Sequence, residues 1–500
     1  MRFFFYFGLL LFLSSCSKQV PRDAELQSTP VSIYPDYNAL TIPYNIAPLN
    51  FEIRQDARQY LTRIYSSQGK EIIMEGKKVC IHPKDWKRLL KENKGDTLYT
   101  EIYLKKEEQW IKYPPLKNVI ASEPIDQYIS YRLIEPSYVT YEEVTINQRN
   151  LTSFEEKVIY SNQTLSDGDD GQCVNCHSFQ NYNKTGNMQM HIRQRLGGTV
   201  IVTGKKVRKV NLKTDSTISA GVYPSWHPTE NLIAYSVNTT GQDFHTKDAQ
   251  KVEVLDYASD LILYDVEKNE VTAIAGEKNE FETFPYWSAD GKSLYYVSAH
   301  FEQKTDNIDS ELAEYYQQIK YNIYRKPFDV KTRQFGITDT IFMASDYQKS
   351  ATFPRESPDG KYLLFTLGDF GNFHIWHKSS DLYLMDLTTR AVRALKEVNS
   401  PDVESYHSWS SNGRWIIFST RRDDGSYTRP YIAYFDKKGN AHKPFILPQE
   451  DPDFYAQFFK SYNIPEFMTE PVEISRHSFV KAIEKDAINA TNSKRVPVPK

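Results

Sequence analysis

Four segments recur in register through the second half of the chain, and they constrain its fold more than any other feature. They are Tyr223-Pro224-Ser225-Trp226-His227-Pro228-Thr229-Glu230, Phe284-Pro285-Tyr286-Trp287-Ser288-Ala289-Asp290-Gly291, Phe353-Pro354-Arg355-Glu356-Ser357-Pro358-Asp359-Gly360 and Tyr406-His407-Ser408-Trp409-Ser410-Ser411-Asn412-Gly413. Counted between Trp226, Trp287, Glu356 and Trp409, they lie 61, 69 and 53 residues apart. An apolar run follows each turn: Leu232 to Ser236, Leu294 to Ser298, Tyr362 to Thr366 and Trp415 to Ser419. Later strand patterns such as Asp260–Asp265 and Asp381–Asp386 lead into charged hairpins. A four-stranded repeat needs about 40–45 residues, so these units read as four strands with long loops. Aromatics make up 14% of the chain, with 35 Tyr and 27 Phe against 21 Gly, a balance that favours strands.

The Trp-Ser-x-Asp-Gly turn resembles the TolB-like β-propeller repeat, a relative of WD repeats. The third copy departs from it, with Glu356 in the Trp position. The resemblance covers about 204 to 450 and implies a propeller over 204–470 with five or six blades, strands from outside the repeats helping to close it. A tail, 471–500, follows. Ahead of the repeats, 39–121 reads as a β-sandwich. Leu98, Thr100, Ile102 and Leu104 alternate with Tyr99, Glu101, Tyr103 and Lys105, and two short strands flank Gly76. One helix interrupts, with Pro83 at its start, Trp86, Leu89 and Leu90 on one face and Gly95 beyond its end. Cys80, in a Val-Cys-Ile run, reads as a buried strand thiol. The expected fold is mainly β: an N-terminal β-sandwich, a haem-binding connecting segment over 122–203, and a C-terminal TolB-like β-propeller.

The N-terminus reads as a targeting segment. Arg2 precedes an apolar run from Phe3 to Leu13, too short to span a bilayer but suited to a signal-peptide core. Leu13-Ser14-Ser15-Cys16 resembles the bacterial lipobox, which implies cleavage of a signal peptide, 1–15, and acylation of Cys16. The polar stretch 16–38, with Pro21, Pro30 and Pro35, reads as a tether. Lipid-anchored attachment to the cell envelope follows as the expectation. Ser17-Lys18 lacks an Asp that would signal inner-membrane retention, so the outer membrane is favoured, on its periplasmic or surface face.

Gly171-Gln172-Cys173-Val174-Asn175-Cys176-His177 carries the chemistry. Cys-x-x-Cys-His is the c-type haem attachment motif: Cys173 and Cys176 would add to the vinyl groups of one haem c, and His177 would be the proximal iron ligand. A disulfide, a redox dithiol and half a zinc site are the other uses of such a pair. Zinc would need two more ligands, and there is no second Cys pair among the four cysteines. The preceding acidic loop does not suit a redox dithiol, which belongs at a strand-to-helix junction. For the distal position His191 ranks first, ahead of Met190, Met188 and His377. If Met188–Arg193 is a strand, the two Met share one face and His191 lies on the other. His374 and His377 alone make half a metal site and read as part of an aromatic blade loop.

Lys plus Arg number 61 and Asp plus Glu 64, a net charge of −3, which argues against nucleic acid as a partner. Neither a Gly-x-Ser-x-Gly elbow nor a His-Glu-x-x-His site is present. The order of lipobox, sandwich, Cys-x-x-Cys-His and propeller is similar to a family of exported lipoproteins of Bacteroidetes-type bacteria. The stretches carrying that likeness include Ile46-Ala47-Pro48-Leu49-Asn50-Phe51, Tyr131-Arg132-Leu133-Ile134-Glu135-Pro136, Gln148-Arg149-Asn150-Leu151 and Phe458 to Pro465. It implies a haem-bearing propeller protein without naming a reaction. The expectation is a membrane-anchored monohaem cytochrome-like lipoprotein that transfers electrons, with the propeller docking a redox or other protein partner. A scaffold without a redox role, and a haem-coupled enzyme working at the propeller mouth, are the alternatives.

Overall fold

The recurring turns set the sheets. In Ser288-Ala289-Asp290-Gly291, the Ser288 hydroxyl donates to Asp290 at 2.7 Å and accepts the Ser293 N–H at 2.9 Å, while Asp290 accepts the Lys292 N–H at 2.9 Å. Ser357 with Asp359, and Ser410 with Asn412, repeat this at 2.7 Å each. Gly291, Gly360 and Gly413 take φ of 65–70°, which a side chain disfavours. In the first copy His227 replaces the Ser: its Nδ1 accepts the Thr229 and Glu230 N–H groups at 3.2 and 3.0 Å. Each turn folds an inner strand back on the next and fixes its register.

The structure is a computed structural model that describes residues 19–135, 142–166, 171–247, 250 and 252–493. The chain is mainly β. Cys173–Phe179, Met188–Arg193, Gly198–Thr203 and Lys206–Asn211 form one antiparallel run, edged by Ile488–Asn489. Val222–Trp226, Leu232–Phe244, Val252–Asp265 and Glu270–Ala275 form the next, edged by Thr491–Asn492. A single pairing, Ser259 with Phe281, joins it to Glu280–Trp287, Ser293–His300, Asn322–Asp329 and Asp339–Phe342. Two more four-stranded sheets start at Ser350–Glu356 and Glu404–Trp409. The last joins distant parts of the chain: Ser461–Met468 pairs with Tyr128–Ile134, followed by Val144–Asn150 and Glu156–Ser161.

The inner strands of these six sheets share one irregularity. In each, two consecutive residues oppose a single partner residue, a β-bulge. The pairs are Cys176-His177, Tyr223-Pro224, Phe284-Pro285, Phe353-Pro354, Tyr406-His407 and Ile464-Pro465. The first member of each has φ between 48 and 52°, unusual for a residue with a Cβ and held only where the surroundings impose it. Cys176-His177 thus occupies the position that aromatic-Pro occupies in the repeats. The stretch 122–203 is therefore built into the sheets: it supplies three strands of one and three of the four main strands of another.

The N-terminal part has a seven-stranded and a three-stranded sheet with the expected helix, Pro83–Glu92, whose Trp86, Leu89 and Leu90 are buried. Trp86 Nε1 donates to the Ile46 carbonyl at 3.0 Å. This part shares one apolar core with Trp415, Ile417, Ile432 and Tyr462 of the later sheets. Two features differ from expectation. Within the polar stretch 16–38, Glu25–Leu26 and Ile33–Tyr34 pair in sheets, because Val31 and Tyr37 bury their side chains and draw the backbone in. Cys80 is exposed, because the strand Lys78–Val79 ends one residue earlier and the residue stands beyond the sheet. Cys16 and the signal segment lie outside the described residues. No helix among the described residues is long and apolar enough to cross a membrane.

Candidate functional site

The six bulges meet at one cavity of about 350 Å³, a volume typical of small-molecule and cofactor sites. All six positive-φ residues line it. Four form a chain of touching rings: Tyr223 to Phe284 at 4.4 Å between centroids, Phe284 to Phe353 at 4.2 Å, and Phe353 to Tyr406 at 5.0 Å. The two remaining positions hold the smaller Ile464 and Cys176. Polar groups enter from His177, Tyr182, Tyr286, Arg355, His407 and Glu466.

His177 is 3% exposed, and neither of its ring nitrogens has a hydrogen-bond partner. The Ile464 backbone lies close to the ring but outside hydrogen-bond geometry. Burial, aided by Arg132, pulls the His177 pKa down to about 3, so it is neutral at pH 7 with a lone pair free. An orphaned imidazole is uncommon in a protein interior and calls for an explanation. His407 holds the same bulge position in the fifth sheet and is also neutral, its pKa drawn down to about 3 by burial. Its Nε2–H donates to the Leu364 carbonyl at 3.1 Å, so it ties two sheets together. His177 makes no such tie. The Cys176 carbonyl accepts from Gln189, which in turn accepts the Tyr235 hydroxyl at 3.4 Å, and this pins the bulge.

Both motif cysteines are free thiols and buried. Cys176 lines the cavity; Cys173, three residues earlier on the same strand, lies outside the lining and accepts from Asn175 Nδ2 at 3.0 Å. Burial pushes the Cys173 thiol pKa up, so it rests protonated. The donor chemistry suits a c-type haem at His177 and Cys176, the orphaned imidazole above all.

The other expected ligands are not brought to the cavity. Met188 and Met190 pack in an apolar cluster with Val174, Phe179 and Ile192. His191 pairs across the strand with Asn175, sits on the opposite face, and meets Thr199 Oγ1 at 3.2 Å. Burial lowers its pKa to about 4. His377 lies 3.1 Å from Glu253, and His374 lies 2.8 Å from the Thr352 hydroxyl, both outside the lining. No group of three or more His, Cys, Asp or Glu suited to a metal occurs among the described residues. Arg355 and Glu466 were not anticipated. Arg355 follows the aromatic-Pro pair of its repeat, where the other copies have Ser225, Tyr286 and Ser408, a departure visible in the sequence.

No family model matches the chain, and no curated protein does. Among solved structures, the matches include an ACO/RPE65 chimera, 10% identical over 89% of this chain and 98% of that one, with a TM-score of 0.38. Prolyl oligopeptidase B from Galerina marginata is 10% identical over 70% of this chain, with a TM-score of 0.35; the match spans 42% of that peptidase. The β-propeller domain of the Trilobed protease from Pyrococcus furiosus is 12% identical over 68% of this chain and 80% of its own, with a TM-score of 0.27.

Proposed function

We propose that the protein is a monohaem c-type lipoprotein of the cell envelope, with the haem seated where the six inner strands meet. The observation that carries this reading is His177: a neutral, buried imidazole with two unpartnered nitrogens, adjacent to a cavity-lining thiol within Cys-x-x-Cys-His. In this reading His177 binds the iron, Cys176 forms one thioether link, and Cys173 turns in from outside the lining to form the other. His177 is the one iron ligand assigned, since His191 stands off the lining. The bound haem would supply one-electron transfer. The chain's own part is to hold His177 neutral and to surround the group with aromatic rings.

The six sheets read as the blades of one propeller, numbering at the top of the expected five or six. The pairing of Ser461–Met468 with Tyr128–Ile134 would close it, using both ends of the chain. The N-terminal sheets read as a sandwich packed on the fifth and sixth blades. Acylated Cys16 would anchor the whole to a bilayer, in the outer membrane by preference, leaving the propeller free to dock a redox partner.

Export of the full chain in a host with haem c maturation tests the reading. The denatured band should stain for haem, the Cys173→Ala, Cys176→Ala double variant should lose the stain, and His177→Ala should keep it with an altered spectrum. An unstained wild-type band would refute it.

A further inference from the structure

Arg355 is a cation without a matching anion. It lines the cavity, stacks over the Tyr286 ring at 4.6 Å, and makes one hydrogen bond, from Nη1 to the Pro354 carbonyl at 3.0 Å. A guanidinium has five N–H donors. Two other arginines of the later sheets are better satisfied. Arg429 donates to the carbonyls of Lys460, Tyr455 and Phe458, and Arg422 to Glu404 and the Val398 carbonyl. Among the described residues, no carboxylate oxygen comes within ion-pair distance of Arg355.

Two carboxyl groups share the lining. Glu466 accepts the Phe179 N–H at 3.4 Å, and burial lifts its pKa to about 8, so it is largely protonated at neutral pH. Glu356 accepts the Ala289 N–H at 3.1 Å, and burial raises its pKa too. Neither forms an ion pair with Arg355. Lys184 adds a second positive charge to the lining. Arg355 is half-buried and has no ion-pair partner, and a carboxylate takes a guanidinium in two parallel hydrogen bonds.

We propose that Arg355 is the anion-holding residue of this cavity, gripping a carboxylate at one edge of a ligand whose flat apolar body lies against the rings of Tyr223, Phe284, Phe353 and Tyr406. The inference shares its cavity with the haem reading. If that reading holds, the carboxylate is a haem propionate; if it fails, the ligand is a free aromatic carboxylic acid.

Two arms distinguish the sources, both on the full chain. In the first, wild type, Arg355→Gln and Arg355→Lys are exported with haem c maturation, and haem stain and midpoint potential are read. Loss of the positive charge beside a propionate favours the oxidised haem, so Arg355→Gln should keep its stain and shift to lower potential, with Arg355→Lys between. In the second arm, haem-free protein is titrated with benzoate and with its neutral isostere benzamide, following tryptophan fluorescence. Wild type should prefer benzoate by about tenfold or more, the scale of a hydrogen-bonded charge pair, and Arg355→Gln should lose the preference. A potential shift in stained protein assigns the carboxylate to the haem. Benzoate preference without stain, or with stain and no shift, assigns the site to a free acid; without stain, the haem reading falls while Arg355 keeps its role. If wild type shows no benzoate preference and Arg355→Gln leaves the potential unmoved or unmeasurable, the inference is overturned. The wild-type comparison of benzoate with benzamide needs no variant and stands even if both substitutions fail to fold.

Discussion

Replacing His177 by Leu in the haem-free protein should stabilise it, and increasingly so in acid. Leu has a comparable volume and no polar atoms, while His177 buries two nitrogens without partners. Removing an unsatisfied buried polar group recovers about 1–3 kcal/mol, which should appear as a higher unfolding midpoint at pH 8. The second part comes from protons. The folded-state pKa of His177 is about 3, against an ordinary value of about 6.5. Above pH 6.5 the imidazole is neutral in both states and adds no slope. Below it the unfolded chain takes up a proton that the folded chain refuses, so the wild type loses about 1.4 kcal/mol per pH unit. By pH 5 the gap between variant and wild type should have widened by about 2 kcal/mol. His191, His374 and His407 titrate in both proteins and cancel in the difference. The assay is urea unfolding of both proteins from pH 8 to pH 5, with m-values compared. A gap that stays constant or narrows on acidification, or a less stable variant at pH 8, would refute the placement of His177 as a neutral, unpartnered group.

Three further outcomes follow from the same geometry. Truncation before Ser461 removes the strand that pairs with Tyr128–Ile134, so the shortened chain should lose its cooperative thermal transition; an unchanged melting curve would mean that this strand does not complete the sixth sheet. In the native haem-free protein a thiol reagent should modify exposed Cys80 at once and buried Cys173, which is off the cavity lining, only as the protein opens; equal rates for these two would contradict that burial. Glu466→Gln should flatten the stability profile between about pH 4.3 and 8: the raised pKa of Glu466, about 8, means that its contribution is full below the ordinary value of about 4.3 and is lost as pH rises from there to 8. It faces Arg355, Tyr182 and Tyr286. Parallel pH profiles of wild type and variant would show that Glu466 ionises normally.

Four of the six bulges fall in the segments whose recurrence is legible in the sequence, where aromatic-Pro or aromatic-His stands ahead of a Ser-x-Asp/Asn-Gly turn or its His227 variant. The other two escaped for physical reasons. Ile464-Pro465 has no ring, and its sheet partners lie more than 300 residues away, a pairing that no local periodicity encodes. Cys176-His177 also lacks the ring, and its cysteines drew attention as a haem motif in a connecting segment, which hid its equivalence to Tyr406-His407. The helix at Pro83–Glu92 was legible from its start and its apolar face. The strand over Met188–Arg193 was legible too, with His191 opposite the two Met. That face did not settle a ligand, because the cavity is built by the inner strands of six sheets, and Met188–Arg193 is not one of them. Arg355 was passed over since a charged residue beside a bulge reads as surface until six sheets enclose it.

Under the proposed function, Cys-x-x-Cys-His holds one covalent haem in the cavity that His177 and Cys176 line. The most direct measurement is the intact mass of the exported full chain, taken under denaturing, reducing conditions after production with haem c maturation. The account predicts a species heavier than the bare processed chain and its lipid by one haem, with both thiols of Cys173 and Cys176 blocked to alkylation. A mass without haem, with both cysteines alkylated once reduced, would contradict it.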